Sequence, residues 1–234
     1  MKEVVITAGG TREKIDDVRY VGNFSSGRLG HKIAEVYAGY DDTNVTLIAP
    51  DETIERFGLP DGVVHESFVS SRDLREKLLG IKAADVVVHL AAVADYIPDF
   101  RPGKISSENE DLTITMKRAP KIISELRGHF GDDTTLVGFK LLSGAQQYYH
   151  LSDAAQQQIR DNDLDLCVAN DLSDVRSDTR KIRLVRKAIG LTFYGISVEY
   201  FIQDHQGTLD SAARYIVDNI VNKGYNENRE TTYS

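Results

Sequence analysis

Three short segments gather the residue types that hold anions. The first is Gly9-Gly10, followed at a distance by Ser25-Ser26-Gly27, with Arg12, Arg19 and Asn23 between them. Glycines let backbone N–H groups approach an anion closely, and a helix starting near Gly27 would offer free N–H donors and its positive dipole end. Ser25 and Ser26 add hydroxyl donors. The second segment is Ala91-Ala92-Val93-Ala94-Asp95-Tyr96. Its alanines let a nucleoside lie against the backbone, and Asp95 can accept from a ribose hydroxyl or join a metal shell. The third is Lys104, within Arg101-Pro102-Gly103-Lys104-Ile105. A lysine on a loop can close over a phosphate and stabilise charge that develops in phosphoryl or nucleotidyl transfer. Lys117-Arg118-Ala119-Pro120 adds cations just ahead of an expected helix, and Phe139, after Gly138, can stack on a base. Each of these also has a plain structural reading: a serine-capped turn, alanine packing, a solvated lysine, a core phenylalanine.

Several chemistries are excluded. No G-x-G-x-x-G stands at the first strand–helix turn, and no G-K-[ST] Walker loop is present. The 6 histidines form no H-x₃-H or H-E-x-x-H pattern, and 1 cysteine cannot build a thiolate cluster. A G-x-S-x-G elbow is absent, and Tyr148-Tyr149-His150 lacks the Tyr-x-x-x-Lys pair of short-chain dehydrogenases.

The elements that must position these residues follow from hydrophobic period. Val4–Thr7 reads as a buried first strand, and Leu29, Ile33, Ala34, Val36 and Tyr37 give a helix of about three turns. Val45–Ala49 and Val63–Phe68 are further strands. Ser70 or Ser71 can cap a helix through Lys82, ahead of an apolar fourth strand over Ala84–Ala92. The segment from Ala94 to Asp111 reads as a long loop, the kind that often serves as a lid. Leu112–Met116 alternates like a strand, and Pro120–Phe130 reads as a helix. Strands over Thr134–Phe139 and Leu164–Asn170 flank a helix from about Ser152 to Asn162. Lys181–Val185 and Leu191–Ile202, turning at Ala188-Ile189-Gly190, suggest an antiparallel hairpin. A last helix, Leu209–Asn222, precedes Gly224 and a polar, frayed tail over 225–234. The expected fold is α/β: a doubly wound, Rossmann-like, mostly parallel sheet with a C-terminal antiparallel hairpin, in a single domain over 1–234.

Charge narrows the partners. The 234 residues carry 28 Lys+Arg and 36 Asp+Glu, a net of −8, which argues against nonspecific nucleic-acid binding and a basic membrane surface. The acidity is uneven. Residues 41–100 hold 5 basic and 12 acidic side chains, whereas 1–40 hold 6 and 5 and 101–140 hold 7 and 6. The two slightly positive segments are those with the anion-binding residues. Cys167 lies in an apolar run, where a buried, inert thiol is expected. The N-terminus breaks at paired glycines too early for a signal-peptide core, and Ala83–Ala94 is too short to span a bilayer, so a cytoplasmic location is expected.

Seven stretches together resemble a known family, phosphopantothenate–cysteine ligase (phosphopantothenoylcysteine synthetase) of coenzyme A biosynthesis. They are ITAGGTRE (Ile6–Glu13), DDVRYVGNFSSGRLG (Asp16–Gly30), AAVADY (Ala91–Tyr96), KI (Lys104-Ile105), KRAPKII (Lys117–Ile123), GFK (Gly138–Lys140) and DLCVAND (Asp165–Asp171), in family order. The resemblance implies a stand-alone ligase, acting beside a separate phosphopantothenoylcysteine decarboxylase. It implies that a nucleoside triphosphate, with Mg²⁺, activates the carboxylate of 4′-phosphopantothenate as an acyl-nucleotidylate, which L-cysteine then attacks. By motif, Asn23 would hold the activated acyl group with support from Arg19, and Lys104 would neutralise phosphates. Gly9, Gly10, Ser25, Ser26 and Gly27 would cradle phosphate. Ala91, Asp95, Lys117, Arg118, Ala119, Pro120 and Phe139 would build the nucleotide pocket. Bacterial members use CTP and eukaryotic ones ATP. The compact chain favours CTP, while Ser106-Ser107 after the lid and Gln158 and Asn162, where bacterial members carry lysines, depart from the bacterial pattern. Family members are commonly homodimers. Two other readings stand beside this one: an NAD(P)-dependent reductase, suggested by the glycine turn and Asp51, and a non-catalytic nucleotide-binding protein.

Overall fold

The computed structural model describes residues 1–108, 110–144, 149–175, 179–192 and 195–222. β1 (Lys2–Thr7) is the expected β-branched run, and Val4 to Thr7 are fully buried. The polar segment after it is more ordered than a plain loop, because β2 (Arg12–Lys14) and β3 (Tyr20–Gly22) pair as a small antiparallel hairpin. α1 (Arg28–Ala38) buries Ile33, Ala34 and Tyr37 along one face and stops at Gly39. β4 (Thr43–Ile48) leads into α2 (Asp51–Phe57), a helix the sequence did not announce. Asp51 and Glu52 occupy its first turn and Arg56 its last, an arrangement that suits the helix dipole. β5 (Val63–Glu66) precedes α3 (Ser71–Gly80), which Ser70 caps by accepting from the Asp73 N–H at 3.2 Å.

β6 (Val86–His89) is the central part of the expected fourth strand. Within and beyond the long loop, β7 (Tyr96–Pro98) and β8 (Met116–Arg118) pair antiparallel. This corrects the strand expected over Leu112–Met116, since pairing begins only at Met116. The alternation there has no sheet face to bury against, and Leu112 stays 45% exposed. A 3₁₀ turn (Ile122–Glu125) enters α4 (Leu126–Phe130). Then come β9 (Thr135–Leu142), α5 (Tyr149–Asn162), β10 (Leu166–Asp171) and the short α6 (Leu172–Val175). β11 (Arg180–Thr192) and β12 (Gly195–Gly207) form the expected hairpin, but not with the expected turn. Ala188, Ile189 and Gly190 lie inside the ladder opposite Glu199, Val198 and Ser197, and the chain reverses between Thr192 and Gly195. α7 (Leu209–Val221) is capped by Thr208, which accepts from the Ser211 N–H at 3.2 Å. The tail expected over 225–234 lies outside the described residues.

Among the described residues the main sheet runs β12-β11-β10-β9-β6-β1-β4-β5. β9, β6, β1, β4, β5 and β10 are parallel to their neighbours, and only the β10-β11-β12 edge is antiparallel. Period-2 alternation divides its side chains between two cores. Val4, Ile6, Val45 and Leu47 pack with Ile33 and Tyr37 of α1 and Ile216 and Ile220 of α7. Val5, Ile48 and Val87 pack on the other face with Leu74 and Leu78 of α3, Leu126 of α4 and Ile159 of α5. Helices thus cover both faces, and the fold is the doubly wound, Rossmann-like α/β sheet. The carboxyl ends of β1, β6 and β9 lie side by side, which is where such folds hold ligands.

Candidate active site

The ends of β1 and β6 do not part. Gly10 and Ala92 continue the parallel pairing beyond both strands, the Ala92 N–H donating to Gly9 O at 2.8 Å and the Thr11 N–H to Ala92 O at 3.1 Å. Two threonine hydroxyls shape the segment that follows β6. Thr7 Oγ1 accepts from the N–H groups of Leu90 and Ala91 at 3.2 and 3.1 Å, and Thr11 Oγ1 accepts from the Ala94 N–H at 3.0 Å. Ala92 and Val93 stand between these anchors, and both of their carbonyls accept from Asn23 Nδ2, at 3.3 and 3.0 Å. The two motif segments, about 70 positions apart in sequence, therefore meet at Asn23.

Asn23 leaves β3 and leads through Ser25 and Ser26, both exposed, to Gly27. Gly27 stands at the N-terminus of α1 with φ +74°, a left-handed conformation in which a side chain is strained. A Cβ there would lie 2.6 Å from Thr53 Oγ1, so α2 packs directly on the turn. Gly27 brings no capping side chain, the Arg28 N–H makes one long contact to Ser26 Oγ at 3.4 Å, and no acidic residue occupies the first turn of α1, so its dipole end still favours an anion. Arg28 begins this helix. Burial, and then the charge of Arg28, lower the pKa of Arg180 at the start of β11, so the two cations share one region.

Across the site, Asp95 O accepts from the buried Ala119 N–H at 2.8 Å, which brings the Lys117–Pro120 run beside the alanine segment. Arg118 and Pro120 are exposed there. Lys117 Nζ is engaged by Asp99 Oδ1 at 2.7 Å. His89 pairs with Gly138, so Phe139 follows one residue beyond, half-buried, level with the start of the alanine segment. Its ring packs against the core, and its carbonyl accepts from Gln158 Nε2 at 3.1 Å. Lys104 is exposed on its loop, and Arg19 Nη2 donates to the next carbonyl, Ile105 O, at 2.8 Å. Gly9, Gly10, Asn23 and Ala91 thus surround one strand-end junction, Asp95 and Ala119 border it, and Arg19 reaches the loop that carries Lys104.

Three contributors went unassigned in the sequence. Thr7 and Thr11 act through hydrogen bonds to partners 83 or 84 positions away, and nothing local marks them. Asp16 lies inside a motif stretch without an assigned role. Its side chain is wholly buried, and the Arg19 guanidinium together with backbone N–H groups holds its carboxyl well below the usual range. Among the described residues no three His, Cys, Asp or Glu converge to hold a metal ion.

The DNA/pantothenate metabolism flavoprotein C-terminal domain matches residues 1–192. The coenzyme A biosynthesis bifunctional protein CoaBC of Thermococcus kodakarensis is 36% identical over 185 residues, which cover 79% of this chain and 45% of that protein. The chain spans less than half the length of the curated relatives it matches, 40% in the case of the Bacillus subtilis protein. Among solved structures, the DNA/pantothenate metabolism flavoprotein from Streptococcus pneumoniae superposes with a TM-score of 0.77 at 27% identity, covering 94% of this chain and 99% of that one. A Cab2 variant in complex with phosphopantothenate-cysteine has a TM-score of 0.64 at 16% identity, covering 94% and 87%, a likeness of fold.

Proposed function

The chain belongs to the family of the DNA/pantothenate metabolism flavoprotein C-terminal domain, and from that premise we propose that it joins 4′-phosphopantothenate to L-cysteine in coenzyme A biosynthesis. The observation that carries the reading is the meeting of Asn23 with Ala92 and Val93 at the carboxyl ends of β1 and β6, which brings the two motif segments into one site. The coenzyme A proteins among its relatives support the same pathway.

In the first half-reaction a carboxylate oxygen of phosphopantothenate attacks the α-phosphorus of a nucleoside triphosphate, and the bond to the β-phosphate oxygen breaks to release pyrophosphate. In the second, the amine of cysteine attacks the acyl carbon. The amide forms, the acyl–phosphate bond breaks to free the nucleoside monophosphate, and the amine gives up a proton. Several anions crowd together in the first step, so the site needs preorganised donors and cations. Asn23 holds the acyl group, Arg19 supports it, and Lys104 neutralises phosphate from the lid. Gly9, Gly10 and the Ser25–Gly27 turn cradle phosphate. Ala91, Asp95, Phe139 and the Lys117–Pro120 run border the nucleotide. Magnesium would add further neutralisation of phosphate charge. Without a carboxylate cage among the described residues, the fit is to an ion carried by the triphosphate with phosphate and water as ligands. We take CTP as the co-substrate, with ATP the alternative.

We further propose a cytoplasmic protein whose product passes to a separate decarboxylase, and a homodimer formed through the β11–β12 hairpin, where Val198, Phe201 and Ile202 are exposed. Among the described residues no helix is long and apolar enough to cross a membrane.

The test is pyrophosphate release from phosphopantothenate with CTP and with ATP, followed by cysteine-dependent amide formation. Asn23→Asp and Lys104→Gln are expected to fold normally and to lose about 10²-fold in rate, the scale for removing one preorganised donor. No product with either nucleotide from the native chain would overturn the reading.

A further inference from the structure

One carboxylate ties the acyl-site motif to the base of the lid. Asp16 Oδ1 accepts from the N–H groups of Val18 and Arg19 at 2.9 and 2.7 Å, as a turn-forming aspartate does. Its other oxygen serves a different purpose. Asp16 Oδ2 accepts from Arg19 Nε and Nη2 at 2.9 and 2.6 Å and also from the Ile105 N–H at 3.1 Å, 89 positions away. Arg19 Nη2 in turn donates to Ile105 O. Both polar groups of Ile105 are thereby engaged, one by Asp16 and one by Arg19. The segment is pinned at two more points. Asp17 exchanges hydrogen bonds with Gly103, N–H to O at 3.2 Å and Gly103 N–H to Oδ2 at 2.8 Å, and the Arg101 N–H donates to Ile15 O at 3.0 Å. Lys104 lies between Gly103 and Ile105 and remains exposed.

We propose that Asp16 is a positioning residue that holds Arg19 and the Lys104–Ile105 peptide in one fixed relation, so that Lys104 is presented to the phosphates from an anchored base. The inference rests on the ligase reading for its catalytic consequence only. Its geometry stands without it. Turn formation alone would require Oδ1, whereas Oδ2 is devoted to a side chain and to the lid. A buried carboxylate with five donors does not tolerate replacement by an amide. With Asp16→Asn, the new side chain would turn an N–H₂ either toward the Val18 and Arg19 N–H groups or toward Arg19 Nε, Arg19 Nη2 and the Ile105 N–H, setting donors against donors.

The structural arm of the test uses the full chain without substrate. Amide exchange at Ile105 is expected to be slower than at Ser106 and Ser107 by about 10²-fold, because opening must precede exchange. In Asp16→Asn, trypsin is expected to cut Lys104–Ile105 about tenfold faster, since cleavage follows the population of the opened segment, while cuts elsewhere keep their rates. Equal exchange at the three amides, or an unchanged rate at Lys104–Ile105 in a folded variant, overturns the proposal. The catalytic arm is a mutant cycle. Asp16→Asn is expected to lower kcat for pyrophosphate release about tenfold with the nucleotide KM nearly unchanged, and to add little on a background that already carries Arg19→Gln and Lys104→Gln. Losses that multiply on that background would show that Asp16 acts through neither residue and would overturn it. If the native chain releases no pyrophosphate, the ligase reading fails, and exchange and proteolysis still decide the latch.

Discussion

Thr7 Oγ1 and His89 Nδ1 lie 2.9 Å apart, and the contact fixes which imidazole nitrogen carries the proton. The threonine oxygen already accepts two N–H groups, from Leu90 and Ala91. Its own hydrogen is then donated to Nδ1, which leaves the proton of a neutral His89 on Nε2. A charged imidazole would present an N–H to that hydroxyl and break the arrangement.

Burial pushes the His89 pKa down from 6.5 to about 4. The unfolded chain takes up a proton there that the folded chain refuses, so stability is complete above about 6.5 and falls as the pH drops toward 4. Urea unfolding at pH 7 and at pH 4.5 should differ by about 2.5 kcal/mol through this residue. His89→Gln, neutral throughout, should flatten that interval. A native chain equally stable at both values would refute the assignment.

Gly27→Ala should be more damaging than Gly58→Ala, although both positions have positive φ, +74° and +81°. Gly58 has open space around it, while a Cβ at Gly27 meets Thr53. Backbone strain is about 1–2 kcal/mol at Gly27, whose ψ of −1° is left-handed helical, and no smaller at Gly58, whose ψ of 169° lies in a region open essentially to glycine alone. Any excess loss at Gly27 is therefore a lower bound on the close packing of α2 against the Ser25–Gly27 turn, and a smaller loss at Gly27 than at Gly58 would mean that α2 yields.

Arg127 spends its guanidinium on four acceptors: Asp163 O, Gly131 O, Thr134 O and Asp165 Oδ2, at 3.0, 2.8, 3.0 and 2.9 Å. A lysine keeps the charge and loses the fork. Arg127→Lys should reduce unfolding free energy by about 2–3 kcal/mol, read from a denaturant midpoint at unchanged slope. A loss below about 0.5 kcal/mol would place the network among ordinary surface contacts.

Cys167 is buried in β10 and its thiol is pushed up to about 12 by burial. A thiol reagent at about pH 8 should leave the native chain unmodified and label it fully once it is unfolded. Stoichiometric labelling of the native chain would contradict the packing.

The strong periodic segments were legible in the sequence for a physical reason. Val4–Thr7 and the Ile33, Ala34, Tyr37 face carry enough buried surface to declare their period. α2 was not, since Thr53 is its single fully buried residue. Three-residue strands such as β2 and β3 are too short to show alternation. Gly190 reads as a turn residue in isolation, yet it sits in a long ladder whose pairing decides its conformation. Of the site, the residues on motif stretches could be named in advance, Asn23 and Lys104 among them. What holds them could not. Asp16, Thr7 and Thr11 act through contacts 82 to 89 positions apart, and only the folded chain reveals such pairs.

The continuation of pairing from Gly10 to Ala92 governs how deep a ligand can settle between the strand ends. A dinucleotide laid across a doubly wound sheet runs its pyrophosphate over the crevice where the strand order reverses, here between β1 and β6. That crevice is bridged by the Ala92–Gly9 and Thr11–Ala92 hydrogen bonds, so the two strand ends form one braced floor, and a ligand there lies on top of the seam instead of wedging between the strands.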